Sequence, residues 1–421
     1  MGHATLGTSG LRVSAAALGT MNFGTGGGVR SCDEPEAARI VGAFLDAGHN
    51  LIDTADAYAG GESERIVGRA IRGRRDEVVL ATKAGMPQGP GPNDRGLSRR
   101  HLTRALEASL RRLGTDHVDL YQCHQWDAGT PVEETLSTLD GFVRAGKVRY
   151  LGCSNVTAAQ LTEAHWTARA LRVTPFVSVQ PELSLIARDA LAELLPAAAG
   201  LGVGALVWSP LGGGVLTGRY RGGTVEDGSR VARLRDMGTA AARGWAEAML
   251  RPRYDWQAGL AAAVATGLGT TPVAVAVAWA RRQRGVTSVI VGPRTIAQLA
   301  DNLAGFDLDL PAPAVARLDD PGDPADLVRR YFEMWRTGDA STVDSLLAPD
   351  WTDHGHPSVR TPADVAATVA ATGRAIDVEL DTVLSDGATV TATGRVGDTP
   401  LAWVFRTDAG RLASLRTYRG L

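Results

Sequence analysis

Cysteine and aromatic residues are scarce in this 421-residue chain, lysine is almost absent, and neither sign of charge prevails. The three cysteines, Cys32, Cys123 and Cys153, are odd in number and share no metal-ligand spacing. No disulfide framework and no metal site is therefore expected, and a reducing, cytoplasmic compartment is the natural one. The 44 basic and 46 acidic side chains nearly cancel to −2. That balance excludes the basic footprint of a nucleic-acid binder and the polybasic patch of a membrane-surface protein. No apolar h-region opens the sequence. The longest apolar stretch, Leu260 to Ala280, is broken by Thr266, Thr270, Thr271 and Pro272, so it reads as two buried helices and not a membrane span. Only Lys83 and Lys147 are lysine; every other cation is arginine. A lysine kept in such a chain marks a place where a titratable amine matters.

Two or three domains are expected from the length. From residue 13 to 304, eight short apolar runs alternate with amphipathic segments. The runs are Ala15–Leu18, Leu51–Ile52, Val78–Ala81, Val118–Tyr121, Val148–Leu151, Phe176–Val179, Gly204–Val207 and Thr287–Val291. Eight strand-then-helix repeats predict an α/β fold, a (β/α)8 TIM barrel, over residues 1–310. The segment Gly24-Thr25-Gly26-Gly27-Gly28 lacks the G-x-G-x-x-G spacing of a Rossmann turn and reads as a flexible loop. A Pro/Asp-rich linker follows over 311–323. Residues 324–421 then change character: helical patterns give way to four alternating runs, Ile376–Leu384, Thr389–Val396, Leu401–Arg406 and Arg411–Tyr418, separated by hairpin signals. Helices followed by a meander predict a smaller α+β domain.

Barrel function gathers where strands end. The residues there are Asp53 and Tyr58, Lys83, His124, Ser154 and Asn155, Gln180, Trp208-Ser209-Pro210, and Gly292-Pro293-Arg294. An acid, a phenol, an amine and an imidazole thus converge on one mouth. Each alone is more often a hydrogen-bonded core residue, but four on consecutive strands weigh against that. The cluster suits carbonyl reduction, in which hydride arriving at carbon leaves negative charge on oxygen. Tyr58 would be the acid, Lys83 would lower its pKa, Asp53 would hold the lysine, and His124 would donate to the developing oxyanion. Cys123 and Cys153 read as small buried hydrophobes, and His49, His101 and His117 as surface residues.

With these residues in place, the chain resembles the aldo-keto reductase family over residues 5 to about 308. Leu6–Ser14 and Leu18-Gly19-Thr20-Met21 are similar to its opening hairpin and first strand, and Asn50–Tyr58 followed by Gly61-Glu62-Ser63-Glu64 to its tyrosine signature. The resemblance implies that Asp53, Tyr58, Lys83 and His124 are a complete catalytic tetrad. It further implies that Ser154, Asn155 and Gln180 hold a nicotinamide carboxamide and that Trp208 stacks under the ring. Ser209, Leu211 and Gly213 would lie over the pyrophosphate, with Pro210, Leu216, Gly218, Gly19, Thr20, Met21 and Asp53 also bordering the cofactor. Gly292, Arg294, Gln298 and Asn302 would take the adenine end, Arg294 pairing with a 2′-phosphate. NADPH is the implied cofactor, with NADH use left open, and the partner is a small carbonyl substrate.

The C-terminal layout resembles the NTF2-like cone, in particular its SnoaL-like branch. Asp353, His354 and His356 are its candidate second site, with Trp403 and Tyr418 lining the mouth. Two roles are open: a homodimerisation or pocket-completing module, or a second catalyst of cyclisation, dehydration or isomerisation. A nicotinamide-binding regulatory or scaffold protein is the alternative from outside enzymology.

Overall fold

The computed structural model describes residues 2–24, 32–320, 322–356, 359–372 and 376–419, so the glycine-rich loop read from Gly24 lies outside them from Thr25 onward. The described chain forms two compact units.

The first comprises Met1–Gly213, Gly228–Thr239 and Val273–Asp309. A hairpin of β1 (His3–Thr5) and β2 (Arg12–Ser14) precedes β3 (Ala16–Gly19), β4 (Leu51–Asp53), β5 (Val79–Ala84), β6 (Val118–Cys123), β7 (Val148–Ser154), β8 (Phe176–Gln180), β9 (Gly204–Val207) and β10 (Val286–Val291). Strands β3 to β10 are parallel and closed, β10 returning to β3, which is the expected eight-stranded barrel. The intervening helices start and stop where local chemistry permits. Asp33 caps Glu34–Asp46 by accepting from Glu36 N, Thr157 and Gln160 form a capping box, and left-handed Gly114 ends Arg99–Leu113.

Inside the barrel, Leu6 and Val13 of the hairpin region close one end, packed with Ala17, Leu51, Ala81 and Leu120. Gly7 makes that closure feasible: it has φ +59°, and a Cβ there would stand 2.3 Å from the Gly202 carbonyl oxygen. Side chains alternate along a strand. The residues two places beyond interior Leu51, Ala81 and Leu120 therefore share their face one layer higher, and they are Asp53, Lys83 and Gln122. Two histidines read as surface residues are buried instead. His49 stacks on Phe44 at 4.9 Å, and His101 lies in the first turn of its helix; burial lowers the pKa of both, so each packs as a neutral ring. Cys123 and Cys153 are buried and free, as expected, and burial raises both thiols.

The second unit comprises Gly214–Asp227, Ala240–Pro272 and Leu310–Leu421. Its sheet contains β11 (Leu347–Asp353), β12 (Val378–Asp386), β13 (Thr389–Val396), β14 (Thr399–Asp408) and β15 (Arg411–Arg419), in the order β11-β15-β14-β13-β12. The four-strand meander is as expected, and positive φ at Gly387, Gly397 and Ala409 forms its turns. Strand β11 is an addition. It runs parallel to β15 but breaks register between Leu347 and Thr352, around Pro349, which hides it from a search for alternation. Helices Pro324–Thr337 and Pro362–Thr372 accompany the sheet, and Tyr331, Phe332, Trp351, Trp403 and Phe405 fill the core. Trp403 thus belongs to the interior, 4.7 Å from Phe332, and does not line a mouth; Tyr418 is exposed.

The connector also differs from a linker: Ala312–Asp319 is helical and buries Val315 and Leu318. Within this unit the earlier segments pack on the C-terminal sheet. Arg221 pairs with Asp408, Arg317 donates to the Ala409 carbonyl at 2.8 Å, and Gly259 lies against Ala409. Among the described residues no single helix is long and apolar enough to cross a membrane.

Candidate active site

Parallel pairing sets Gly19 beside Asp53, Asp53 beside Ala81, Lys83 beside Gln122, and Ser154 beside Gln180. The ends of adjacent strands therefore deliver their polar side chains to one place. Lys83 Nζ donates to Asp53 Oδ2 at 2.5 Å, to the Thr54 carbonyl at 3.0 Å and to the Tyr58 hydroxyl at 3.2 Å. All three ammonium protons are thereby placed. Because the Tyr58 oxygen accepts from lysine, its own proton is free to point elsewhere. The other carboxylate oxygen of Asp53 accepts from Gln122 Nε2 and Gln180 Nε2, both at 2.9 Å, and Gln180 also donates to Gln122 Oε1 at 3.1 Å.

The Asp53 and Lys83 side chains are 3% and 1% exposed, so their charges survive only as a pair. Burial pulls the Lys83 pKa down, but Asp53 and then Tyr58 outweigh it, and the net shift is upward; the amine stays charged. Tyr58 departs from expectation. Burial raises its pKa more than Lys83 lowers it, so the phenol holds its proton past the usual value of 10.0. His124 stands edge-on to Tyr58, with ring centroids 5.8 Å apart. Burial, then the Lys83 charge, push its pKa down to about 3, leaving a neutral imidazole at ordinary pH. Its Nδ1 is buried without a hydrogen-bond partner.

The other proposed site residues fall into two groups. Ser154 Oγ donates to the Gln180 carbonyl at 2.8 Å, and Asn155, at φ +52°, donates to the His124 carbonyl at 2.9 Å. Thr20 is buried and bonds through its hydroxyl to the Asp53 carbonyl, while Met21 is exposed. Gly19 is crowded: a Cβ there would stand 2.6 Å from Ile290 Cγ2. The indole Nε1 of Trp208 is buried and unpartnered. After it, Ser209, Gly212 and Gly213 all have positive φ, and the Gly213 N–H donates to Ser209 Oγ at 3.2 Å. Pro210 is buried within this turn. At the last strand, Asn22 donates to the Gly292 carbonyl, and the Arg294 N–H donates to Gln298 Oε1 at 2.9 Å. Gln298 therefore shapes the Arg294 turn, and Asn302 is buried one helical turn beyond. Leu216, buried, and Gly218 fall in the second unit, as do Asp353, His354 and His356. Burial raises the Asp353 carboxyl against the pull of the Gly355 N–H and the two histidines, so these three are neighbours.

Three functional neighbours escape the strand-end reading. Gln122, interposed between Asp53 and Gln180, is identifiable only from its two-residue offset from Leu120. Arg230 lowers the Tyr58 pKa from a segment with no motif. Asp56, which is buried, is pushed up to about 7 by burial and by Glu64.

Fold and site together define a (β/α)8 barrel that gathers a carboxylate, an amine, a phenol and an imidazole where its strands end. The aldo/keto reductase family model matches residues 16–322, and a SnoaL-like domain model matches residues 328–417. A probable voltage-gated potassium channel subunit beta of Arabidopsis thaliana is 38% identical over 313 residues, covering 73% of this chain and 92% of that protein. The uncharacterized oxidoreductase YrpG of Bacillus subtilis is 38% identical over 344 residues, covering 79% and 99%. The chain belongs to the aldo/keto reductase family, carries a C-terminal SnoaL-like domain of the NTF2-like kind, and is an oxidoreductase that uses a nicotinamide cofactor.

Proposed function

We propose that the protein is a cytoplasmic, NADPH-dependent reductase that converts a ketone or aldehyde to an alcohol. The observation that carries this is the buried Asp53–Lys83 pair donating to the Tyr58 hydroxyl beside a neutral His124. The nicotinamide, when bound, supplies the hydride to the carbonyl carbon. Tyr58 gives its proton to the carbonyl oxygen, Lys83 stabilises the phenolate left behind, and Asp53 keeps Lys83 charged and placed. His124 orients the carbonyl oxygen through a ring that carries no charge. A nicotinamide dinucleotide fits the residues present: the Trp208 indole stands at the mouth with its Nε1 unpaired by protein, and Gly212 and Gly213, both at positive φ, leave the turn after it with little side-chain cover. Ser154, Asn155 and Gln180 would hold the carboxamide. A panel of carbonyl compounds, scored by loss of reduced-nicotinamide absorbance, tests the activity. No turnover of any member with either cofactor would remove it.

Arg294 would set the cofactor preference. Arg294→Ala is expected to weaken NADPH binding by about 1.5–3 kcal/mol, the worth of a charged hydrogen bond, and to leave NADH nearly unchanged. Fluorescence titration with both cofactors checks this; equal losses would assign Arg294 to the fold.

The SnoaL-like domain would serve as a dimerisation or pocket-completing module, its aromatic-filled core favouring that role over a second catalytic site. Fusion to a reductase fits specialised metabolism on a polyketide or sugar-like ketone. A chain cut near Ala312 keeps every barrel motif, but Gly214–Asp227 and Ala240–Pro272 lose the sheet they pack on. It is expected to melt at a lower temperature than the full chain, measured by calorimetry. Equal melting would show that those segments do not depend on the domain.

The relatives named as channel subunits favour one second reading, a regulatory subunit that binds nicotinamide without net turnover. Catalytic turnover abolished by Tyr58→Phe would decide for the enzyme.

A further inference from the structure

Helices Glu62–Ala70 and Arg99–Leu113 approach so closely that a Cβ on Gly68 would stand 2.2 Å from the Leu113 carbonyl oxygen. Past this crossing, their C-terminal turns open into a cleft of about 750 Å³. Its lining includes the segments that lead into β5 and β6, so it lies at the end of the barrel opposite the catalytic tetrad. The volume falls within the range of small-molecule sites.

Of the thirteen lining residues, six are arginine (Arg65, Arg69, Arg72, Arg75, Arg111 and Arg112) and none is a carboxylate. Four of the six are committed to neighbouring acids. Arg65 and Arg69 pair with Glu62 at 3.2 and 3.1 Å, Arg75 with Asp119 at 2.8 Å, and Arg112 with Glu64 at 2.6 Å. Arg72 and Arg111 are exposed and have no side-chain partner among the described residues. A cation in the last turn of a helix is ordinary compensation for the helix dipole. That accounts for Arg69, Arg111 and Arg112, but not for Arg72 or for a lining without a single acid.

We infer that this cleft binds a small polyphosphate anion, two or more linked phosphoryl groups, free or carried on a nucleoside. Guanidinium forks match phosphate oxygens two at a time, and two unneutralised forks on one cleft call for a ligand with at least two negative charges. The two free guanidinium groups face one open cleft, which suits a compact anion that can reach both at once. Arg112 is unsuitable as a test position, because it neutralises Glu64, whose side chain is fully buried. Arg72 and Arg111 are exposed and far from the tetrad along the barrel, so their replacement is expected to leave the fold intact.

The test is calorimetric titration of the full chain with inorganic tripolyphosphate and with ATP, at moderate salt and with the cofactor site saturated by NADP+. One equivalent should bind, and the Arg72→Ala/Arg111→Ala double variant should lose about tenfold or more in affinity while its melting temperature and carbonyl turnover stay those of the parent. Equal affinity for the two probes would assign the free anion as ligand, and tighter ATP binding the nucleoside form; either supports the site. Three results would overturn it: no saturable binding of either probe, binding that survives the double variant, or a polyglutamate peptide that binds when both phosphates do not.

Discussion

Tyr58→Phe is expected to lower kcat by about 10²–10⁴-fold and to leave cofactor affinity near that of the parent. The substitution removes one oxygen and nothing else. The ring would keep its edge-on position against His124 and its place 4.9 Å from Lys83 Nζ, so the mouth keeps its shape. What is lost is the proton that balances charge on the carbonyl oxygen, because the hydroxyl that accepts from Lys83 is the one free to donate outward. His124 cannot replace it, since its neutral ring would have to give up an N–H proton of far higher pKa. Steady-state turnover at saturating cofactor, alongside a fluorescence titration, separates the two effects. Parent-like turnover would remove Tyr58 from the mechanism.

Lys83→Met should cost both activity and stability. Methionine matches the length of the stem but leaves the Asp53 carboxylate buried with only the Gln122 and Gln180 amides as donors. Breaking a buried pair from one side typically costs about 3–5 kcal/mol. Catalysis should fall by at least about 10²–10³-fold, since the phenolate loses its stabilising charge. Adding Asp53→Asn to this variant neutralises the stranded carboxylate. The double variant is therefore expected to regain much of the stability and none of the turnover. Urea midpoints and rates measured on the same three proteins check this, and a Lys83→Met protein that unfolds with the parent would refute the charged-pair account.

The barrel was readable because its two periods differ so sharply: strands of three to seven residues, then amphipathic helices of about a dozen. Strands β4 to β8 each run beyond the apolar run that signals them, because Asp53, Lys83, Gln122, Ser154 and Gln180 are polar yet still paired in the sheet. Polarity there marks the site and conceals the strand at once. Gln122 shows the cost, since it reads as strand interior until the offset from Leu120 is applied. His49 and His101 read as exposed because sequence carries no sign of which ring will find an apolar neighbour. Arg230 and the membership of Ala240–Pro272 in the second unit depend on contacts across long sequence separations, which no local pattern encodes. The tetrad, by contrast, lies on consecutive strands, where order along the chain becomes proximity in space.

The interleaving of the two units has a consequence for the order of synthesis. Ala240–Pro272 leaves the ribosome early, with Ala246, Trp256, Leu260 and Ala261 destined for burial. The meander that it packs on within the same unit is translated last, roughly 150 residues later. At about 5–20 residues per second that interval is on the order of ten seconds or more. Throughout it the nascent chain carries two helices whose buried side chains have no partner sheet, while strands β3 to β9 are already made. A stalled or prematurely terminated message would therefore release a chain in which these apolar side chains stay uncovered.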